Sequence, residues 1–383
     1  MIKVCHLISC LLKGDGPSNG ILAQIAAQDK DFFHSSVWSL YPPPRDRDPR
    51  VSVTEAGAGY KVFTMGASFL DARILIPLVR QLKQERPDIL HCHLVRANLY
   101  GRIAAKMAGI PVVISTLRNI EEYMQRGDSL SRTVCHFERV TARWVSKYIA
   151  VSEAVRQEAI KRLHLPPTKI VTILNAIDLT PYSRKSTDRA TVRTEMGIRP
   201  DDIVVSSVGR LHPQKNYPFF LKTAEMIRAK FPSVRFVIIG DGKERPALES
   251  MIADLGLQDA VLLPGFRPDI PHILQAFDIF VLPSLYEGLS RALMEAMAAG
   301  LPCVVTDVGG DAEAVVQGKT GFVLPAGDEE GFTSSLETLL RNPDLRRSMG
   351  SAARERAHKL FDAKRMANQY KDLYLRLLEY SPQ

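Results

Sequence analysis

The sequence predicts an α/β protein with two doubly wound, Rossmann-like domains that face each other across a cleft. Short apolar segments rich in β-branched residues alternate with helical stretches along the whole chain, as buried parallel strands alternate with their covering helices. The alternation stops once, at a polar stretch with two prolines, and then restarts. A chain of 383 residues is long enough for two such domains.

Thirteen segments are predicted as strands, seven before the polar stretch and six after it. The first seven are IKVCHLIS, SSVWSL, KVFTM, DILHCH, PVVIST, YIAVS and IVTIL. The other six are DIVVSSVG, VRFVIIGDG, AVLLPG, DIFVLPS, PCVVTD and GFVLPA. The opening MIKVCHLISC has no basic region ahead of an apolar core and no cleavage site, so it predicts a first strand rather than a signal peptide.

These segments predict four parts: an N-terminal Rossmann-like domain over 1–180, a linker over 181–200, a C-terminal Rossmann-like domain over 201–360 and an amphipathic helix over 361–383. In the last part, apolar residues recur at helical spacing: Met366, Tyr370, Leu373, Tyr374, Leu377 and Leu378. This helix is free to pack on either domain, and we expect it on the N-terminal one.

The charge of the chain is uneven. Residues 1–199 hold 29 basic and 18 acidic residues, a net +11, and the remainder holds 21 and 24, a net −3. No nucleic-acid motif accompanies the basic half, so an anionic membrane surface or an acidic acceptor fits it better. DARILIPLVRQLKQERP and HFERVTARWVSKYIA are predicted basic amphipathic helices, although ordinary solvated helix faces explain them equally well.

Other features indicate a protein of the cytoplasm. No stretch approaches the ~20 apolar residues that a membrane span requires. The five cysteines are scattered and have no metal-ligand spacing, which favours reduced thiols.

The loops after the strands hold the candidate site residues, because ligands of open α/β sheets bind beyond the carboxyl ends of the strands. In SVGRLHPQKN, Arg210 and Lys215 follow Gly209, and two cations between a strand and a helix suit a diphosphate. In LLPGF, Gly265 and Phe266 supply backbone polar groups and an aromatic face that suit a base. A basic surface loop and an ordinary turn are the alternatives.

The segment YEGLSRALMEAMAAG places Glu287 before a predicted helix and Glu295 inside it. Gly288, Leu289 and Ser290 at the helix start would present backbone N–H groups. A carboxylate accepts two hydrogen bonds from a diol, so one glutamate suits sugar hydroxyls and the other a ribose. A glycosidase pair and a plain helix surface are the alternatives.

The loop after the first strand, SCLLKGDGPSNG, contains glycines at 14, 16 and 20. They would let a ligand approach the backbone, and the helix N-terminus that follows favours an anion. A tight turn without a ligand explains the same glycines.

Taken in order, GRLHPQKN, VIIGDG, LLPGF and a Glu-x7-Glu spacing followed by AAGLPCVVTDVGG resemble the large retaining nucleotide-sugar glycosyltransferase family of the GT-B fold, the glycosyl transferases group 1. DILHCHLVRANLYGRIAAKMAGIPVV, YIAVSEAV and ILNAIDLTPY extend the resemblance over nearly the whole chain. It implies transfer of a hexosyl-type sugar from a nucleotide sugar, UDP before GDP, to a saccharide or lipid-linked acceptor with retention. It also implies bacterial surface polysaccharide or lipopolysaccharide biosynthesis, with possible peripheral association with an anionic membrane.

The resemblance assigns a role to each matching residue. Arg210 and Lys215 would neutralise the donor diphosphate, and Glu287 would contact the transferred sugar. Glu295 would bind the ribose. The predicted catalytic residues are Glu287, Arg210, Lys215, His93 and Arg118. The predicted donor-binding residues are Gly16, Gly209, Arg210, Lys215, Gly265, Phe266, Glu287, Gly288, Leu289, Ser290 and Glu295. The loop over 14–20 would close over the diphosphate, and the N-terminal domain would receive the acceptor.

Two positions depart from the family or leave a choice open. Arg118, in STLRN, stands where relatives often carry a histidine, and a cation there could serve a phosphate or an acidic sugar. His93, in HCH, matches the usual second histidine, although a buried structural histidine explains it equally well.

We expect no metal and no other cofactor. No Asp-x-Asp follows a strand, and Asp46 and Asp48 lie in a loop rich in proline and arginine. A sugar-nucleotide epimerase and a non-catalytic partner subunit on the same fold are the alternative functions. The presence of both glutamates with Arg210 and Lys215 argues against both.

Overall fold

The computed structural model describes residues 1–66, 71–119, 129–183 and 189–379. The chain divides into two compact units: unit 1 comprises Met1–Ala176 and Ala363–Gln383, and unit 2 comprises Ile177–Asp362. Each unit contains one sheet whose strands all run parallel, with helices in the connections. The predicted fold class of two Rossmann-like α/β domains is confirmed.

Unit 1 contains a sheet of seven strands in the order β3-β2-β1-β4-β5-β6-β7. Its strands are β1 Ile2–Ile8, β2 Phe33–Ser39, β3 Gly59–Val62, β4 Ile89–His93, β5 Val112–Leu117, β6 Lys147–Ala150 and β7 Ile170–Thr172. Its described α-helices are α1 Gly16–Ala26, α2 Arg50–Glu55, α3 Leu75–Glu85, α4 Val95–Ala108, α5 Ser129–Thr141 and α6 Glu153–Leu163, with the C-terminal helix Ala363–Glu379. Short 3-10 turns span Arg45–Arg47, Ala72–Ile74, Ala142–Trp144 and Pro167–Lys169.

Unit 2 contains a sheet of six strands in the order β10-β9-β8-β11-β12-β13. Its strands are β8 Ile203–Val208, β9 Val234–Ile239, β10 Val261–Gly265, β11 Ile279–Leu282, β12 Cys303–Thr306 and β13 Gly321–Leu324. Its described α-helices are α7 Thr180–Ser183, α8 Arg189–Glu195, α9 Tyr217–Lys230, α10 Arg245–Asp254, α11 Ile270–Leu274, α12 Arg291–Ala299, α13 Gly309–Ala314, α14 Glu329–Arg341 and α15 Pro343–Leu360. The segment Pro213–Lys215 is a 3-10 turn before α9. The C-terminal helix Ala363–Glu379 of unit 1 is α16.

The strand order of each sheet fixes where its loops meet. In both sheets the first strand of the unit lies centrally, and the chain builds outward first to one side and then to the other. The order reverses between β1 and β4 in unit 1, and between β8 and β11 in unit 2. Ligands of open α/β sheets bind at such switch points. The predicted loops after β8 and β11 therefore lie side by side.

The predicted linker at 181–200 is wrong for residues 189–200, because these residues pack into unit 2. Arg193 is 3% exposed, and its guanidinium donates to Asp278 at 2.7 Å and to backbone carbonyls of unit 2. Arg189 also binds Asp278, at 2.6 Å. Prolines and charges indicated an exposed stretch, whereas these two arginines anchor it. The described chain passes between the units at 176–177 and again at 362–363.

The C-terminal helix α16 packs in unit 1, as predicted. Met366, Tyr370, Leu373 and Tyr374 are buried in one apolar cluster with residues from β1, β4 and β5. The Tyr374 hydroxyl lies 2.7 Å from Nδ1 of His91 and accepts a hydrogen bond from Gln24 at 3.0 Å. The helix thus completes the hydrophobic core of the N-terminal unit.

All five cysteines are free, in agreement with the predicted reduced thiols. None of the described helices is long and apolar enough to span a membrane.

Candidate active site

The loop after β8 is shaped by a glycine that leaves room for a lysine. A Cβ at Gly209 would lie 3.0 Å from Cε of Lys215 and 3.0 Å from the Tyr217 hydroxyl. The 3-10 turn ends at Lys215, and Asn216 adopts a left-handed conformation with φ 52° before α9 begins. The lysine side chain therefore folds back over the end of β8.

Lys215 meets Glu287, which follows β11. The Lys215 Nζ lies 2.5 Å from Oε1 of Glu287, and the Ser284 hydroxyl donates to the same oxygen at 2.8 Å. The Gln214 amide donates to Oε2 at 3.2 Å. The side chains of Lys215 and Glu287 are only 13% and 9% exposed. The structure thus holds the Glu287 carboxylate with three donors at the switch point of the sheet.

Because Lys215 pairs with Glu287, the loop after β8 does not present two free cations to a diphosphate. Lys215 already faces a carboxylate, so its charge is shared before any anionic ligand binds. Arg210 is exposed, and its side chain makes no hydrogen bond or ion pair within the described ranges. Of the two predicted cations, Arg210 is the one with open hydrogen-bond donors.

The residues predicted beside a base lie at the end of β10. Gly265 has φ +83°, a conformation that favours glycine, and Phe266 is 58% exposed. The Gly265 carbonyl accepts a hydrogen bond from the Gly240 N–H at 2.9 Å. The aromatic face of Phe266 is accessible, as predicted. The Gly265 carbonyl, in contrast, already accepts a hydrogen bond from the backbone that follows β9.

The start of α12 is held by the segment that begins α13. Ser290 donates its backbone N–H to Oδ1 of Asp311 at 2.7 Å, and the Gly288 carbonyl accepts from the Gly310 N–H at 2.8 Å. A Cβ at Gly309 would lie 1.8 Å from the Glu287 carbonyl oxygen, so only glycine permits this approach. The prediction that the Ser290 N–H is available to a ligand is therefore wrong, because Asp311 accepts it.

Sequence reasoning missed Asp311. Its side chain is 1% exposed, and its Oδ2 atom has no partner within the described part of the chain. Burial raises the pKa of Asp311 well above its ordinary value, and the Glu287 carboxylate raises it further. The Asp311 carboxyl group is thus a buried acid with a raised pKa at the start of α12. The sequence feature that could have indicated Asp311 is its place directly after the two glycines of VGGDAEA.

Glu295 lies apart from Glu287, on α12. Its side chain is buried, and its Oε1 accepts a hydrogen bond from Nε of Arg291 at 2.7 Å. Burial raises the pKa of Tyr182, and the nearby Glu295 carboxylate raises it further. The two glutamates have different cationic partners, Lys215 for one and Arg291 for the other. This separation is compatible with two distinct roles.

In unit 1, His93 lies at the end of β4 and is fully buried in a group of three histidines. Its Nε2 lies 3.2 Å from Nδ1 of His6, and its ring centroid lies 4.1 Å from that of His91. His91 also contacts the Thr116 hydroxyl at 2.7 Å through Nε2. The predicted catalytic His93 is thus part of a buried histidine cluster, comprising His6, His91 and His93.

Burial and charge keep this histidine cluster neutral. Burial lowers the pKa of His6 to about 3, with a contribution from the positive charge of Arg118. Burial also lowers the pKa values of His91 and His93 well below the usual range, and Arg118 acts in the same direction. The three rings offer nitrogen atoms within 4.8 Å of one another, the arrangement that a metal ion would need. Both nitrogens of His91 already have hydroxyl partners, however, and Arg118 would repel a cation.

Arg118 follows β5 and reaches the first turns of α1. A Cβ at Gly20 would lie 3.3 Å from Nη1 of Arg118, and this nitrogen donates to Oδ1 of Asn175 at 3.3 Å. Gly16 is the first residue of α1, and nothing lies within 4 Å of a Cβ built on it. The structure therefore brings Arg118, His93 and the glycine-rich first loop to one edge of the unit 1 sheet.

Comparison with known proteins identifies the family. The model described as Glycosyl transferases group 1 matches residues 188–356, and the model described as Glycosyltransferase Family 4 matches residues 18–181. The chain is 32% identical over 308 residues to the UDP-Gal:alpha-D-GlcNAc-diphosphoundecaprenol alpha-1,3-galactosyltransferase of Escherichia coli, covering 80% of this chain and 79% of that one. It is 26% identical over 310 residues to the N-acetyl-alpha-D-glucosaminyl L-malate synthase of Bacillus anthracis, covering 80% of each.

A solved structure agrees at the level of the fold. Anabaena HepE in complex with UDP superposes with a TM-score of 0.84 at 23% identity, covering 98% of this chain and 100% of that one. The motifs, the two parallel sheets and these matches lead to one conclusion. The chain belongs to the glycosyl transferases group 1 family and is a glycosyltransferase.

Proposed function

We propose that this glycosyltransferase moves a hexosyl-type sugar from a nucleotide-sugar donor, a UDP-sugar before a GDP-sugar, to a saccharide or lipid-linked acceptor. The observation that carries the proposal is the Glu287 carboxylate at the switch point of unit 2, held by Lys215, Ser284 and Gln214. A carboxylate held in this way suits the hydroxyl groups of a sugar, and the exposed Arg210 in the loop after β8 suits a phosphate.

The named relatives support the choice of substrates. The Escherichia coli relative is named for a UDP-galactose donor and a diphosphoundecaprenol acceptor, and the Anabaena structure is a complex with UDP. A lipid-linked acceptor and a place in bacterial surface polysaccharide or lipopolysaccharide biosynthesis are therefore our proposals for this chain.

In the proposed reaction, the bond between C1 of the sugar and the diphosphate oxygen breaks, and its electron pair leaves with the nucleoside diphosphate. The acceptor hydroxyl oxygen forms the new bond to C1, and its proton passes to the departing diphosphate. Arg210 and Lys215 would stabilise the charge that develops on the leaving diphosphate, and Glu295 would hold the ribose. We propose retention of configuration and catalysis without a metal ion, so treatment with a chelator should leave the rate unchanged.

A thermal-shift panel with UDP-, GDP-, ADP- and dTDP-sugars tests the donor class. A ligand at about 100 times its Kd stabilises the native state by about 2.7 kcal/mol. We expect one nucleotide series to stabilise the wild-type protein and Glu295→Ala to lose this response. Glu337→Ala is the control, because Glu337 also pairs with an arginine one turn away, Arg341 at 3.7 Å, and with Lys230 at 2.6 Å.

The outcomes separate the alternatives. If no nucleotide sugar stabilises the wild-type protein, the enzyme proposal fails and the non-catalytic partner subunit takes its place. Slow release of free sugar from the stabilising donor without an acceptor would support a transferase. Conversion of that donor into its epimer would support the epimerase instead.

We also propose peripheral association with an anionic membrane surface. Helix α3 presents Ile76, which is 77% exposed, and one turn later the exposed Arg80. An exposed apolar residue beside basic residues suits the interface of an anionic bilayer.

A further inference from the structure

Arg118 lacks the partner that a cation in its position ordinarily has. Among the described residues, its buried Nε has no hydrogen-bond partner, and its Nη1 donates to the neutral amide of Asn175 at 3.3 Å. Within the described ranges, no carboxylate lies at ion-pair distance from it. Buried charges in proteins are ordinarily paired, because loss of water is costly for them. The half-buried Arg118 guanidinium therefore has a hydrogen-bond donor and a charge that an anion could satisfy.

The surroundings of Arg118 favour an anion as the missing half. The histidine cluster beside it is neutral, and two of its buried nitrogen atoms, Nε2 of His6 and Nδ1 of His93, have no partner in the part of the chain that the structure describes. The first turn of α1 contains no acidic residue, and the N-cap Asp15 accepts a hydrogen bond from the Ser18 hydroxyl at 3.4 Å. Burial lowers the pKa of Arg118, whereas Tyr370 and the Asp15 carboxylate raise it. The positive end of this helix dipole adds to the charge of Arg118, and the Asp15 carboxylate offsets part of the sum without forming an ion pair with the guanidinium within the described ranges.

A metal ion is the competing ligand for the histidine cluster. It would have to replace the hydroxyl partners of both His91 nitrogens, and it would lie close to the positive charge of Arg118. The same charge attracts an anion. The geometry and the charges therefore favour an anion site at the edge of the cluster.

We propose that Arg118 binds an oxyanion group, a phosphate or a carboxylate, of the acceptor substrate. The proposal rests on the proposed function, because it takes unit 1 as the unit that receives the acceptor. The guanidinium would form charge-assisted hydrogen bonds through Nε and Nη2, with the N-terminal turn of α1 on the other side of the anion.

Calorimetric titration with pyrophosphate tests the site directly. We expect the wild-type protein to bind pyrophosphate at two sites, one at Arg118 and one at Arg210 and Lys215. Arg118→Gln should weaken the first about ten-fold or more, whereas Lys215→Met should weaken only the second. Arg86→Gln, which removes an exposed arginine from unit 1, is the matched control and should keep both. Equal affinity of wild type and Arg118→Gln at both sites overturns the proposal.

Thermal stability separates a binding role from a structural one. A glutamine at 118 removes a half-buried charge that forms no ion pair within the described ranges, so the Tm of Arg118→Gln should rise or stay unchanged while the pyrophosphate site is lost. Arg118→Lys keeps the charge without the planar fork and should bind pyrophosphate with intermediate affinity. If Arg118→Gln lowers the Tm and leaves binding intact, Arg118 is a structural residue and the proposal fails.

Kinetics identify the source of the anion. With the donor fixed, we expect a lower KM for a sugar 1-phosphate acceptor than for the neutral alkyl glycoside of the same sugar, and Arg118→Gln should abolish the difference. If the variant instead abolishes a preference for a UDP-hexuronate donor, the anion belongs to the donor and the acceptor assignment is overturned. Failure of the donor panel would leave the pyrophosphate result at Arg118 intact, so the two proposals fail separately.

Discussion

Glu287 and Lys215 depend on each other for stability and, in the proposed reaction, for catalysis. The carboxylate and the ammonium group are both mostly buried, and within the described part of the chain each forms its ion pair with the other alone. Removing one partner of a buried pair leaves an uncompensated charge, which costs about 3–5 kcal/mol when burial is complete. Replacing both residues should therefore restore the unfolding free energy that a single replacement lowers, whereas it should not restore activity.

We predict that Lys215→Met lowers the unfolding free energy by roughly 2 kcal/mol, because the pair retains some exposure. The double variant Lys215→Met/Glu287→Gln should recover most of this loss. Activity should not recover: each single variant should lower kcat about 10²–10³-fold, and the double variant should be no faster. Denaturant unfolding and steady-state kinetics on the same four proteins measure both effects. Recovery of activity in the double variant would show that the pair is only structural.

Asp311 gives a pH-dependent prediction. Its pKa is raised in the native state, so the native state keeps a proton that the unfolded chain releases above its ordinary value of 3.8. The unfolding free energy of the wild type therefore falls as the pH rises from 3.8 towards the native pKa, by at most about 1.4 kcal/mol per pH unit. Asparagine keeps the acceptor for the Ser290 N–H and cannot ionise. The stability of Asp311→Asn relative to wild type should thus increase with pH.

Denaturant unfolding of both proteins between pH 4.5 and 8 checks this. Asp311→Ala is the control, because it leaves the Ser290 N–H without an acceptor and should cost about 1–3 kcal/mol at every pH. A constant difference between Asp311→Asn and wild type would show that Asp311 is ionised in the native state.

Site residues could be predicted where a motif in the sequence marks them by its residue types and spacing. Gly209, Lys215 and Glu287 do lie together, because parallel strands bring their following loops to one edge of the sheet. The contacts that hold them come from residues distant in sequence, such as the 21-residue separation between Ser290 and Asp311. Such contacts depend on side-chain packing in three dimensions, which periodicity does not encode. The predicted roles of these residues remain predictions.

At the scale of elements, α16 and three strands of unit 1 are joined through the buried histidine cluster. His6 lies in β1 and His91 and His93 in β4, and His91 links the cluster to Tyr374 of α16 and to Thr116 of β5. These contacts require neutral imidazoles, since a charged ring would be buried next to Arg118.

We predict that unit 1 loses stability as the pH falls below 6.5. The unfolded chain binds protons at the three histidines near their ordinary pKa of 6.5, whereas the native state does not, since burial lowers the pKa of each. The stability is thus complete above pH 6.5 and is lost as the pH falls, at up to about 4 kcal/mol per pH unit for the three. Urea unfolding at pH 7, 6 and 5 measures the slope, and His6→Gln should reduce it by about one third. A flat profile would contradict the buried neutral cluster.

The elements themselves were largely predictable, because buried parallel strands are continuous apolar segments and all thirteen predicted segments overlap a strand. The exception was the polar stretch before unit 2. Arg189 and Arg193 appear solvent-exposed in sequence, yet both bind Asp278 and make this stretch part of the unit. A charged residue that forms a buried pair resembles a surface residue until its partner is known.

At the scale of the whole molecule, charge asymmetry leads to the membrane prediction. We expect the protein to sediment with vesicles of anionic phospholipid at low salt and to be released at high salt, because screening shortens the reach of surface charges to about 8 Å at physiological ionic strength. Ile76→Ser/Arg80→Glu should weaken sedimentation, and neutral phosphatidylcholine vesicles serve as the control. Absence of binding to anionic vesicles at low salt would rule out this association.

The discontinuity of unit 1 has a consequence for protein synthesis. A ribosome makes β1 to β7 first, but the helix α16 that covers Val4, Ile89, Val112 and Ile114 is added only after Ile177–Asp362. At about 5–20 residues per second, these apolar side chains wait roughly 10–40 s for their cover. Unit 2 can complete its fold in that interval, since all its strands have then emerged. During this interval the nascent N-terminal half exposes apolar surface that a chaperone would bind. A premature stop codon before Ala363 should leave unit 2 folded and unit 1 prone to aggregate.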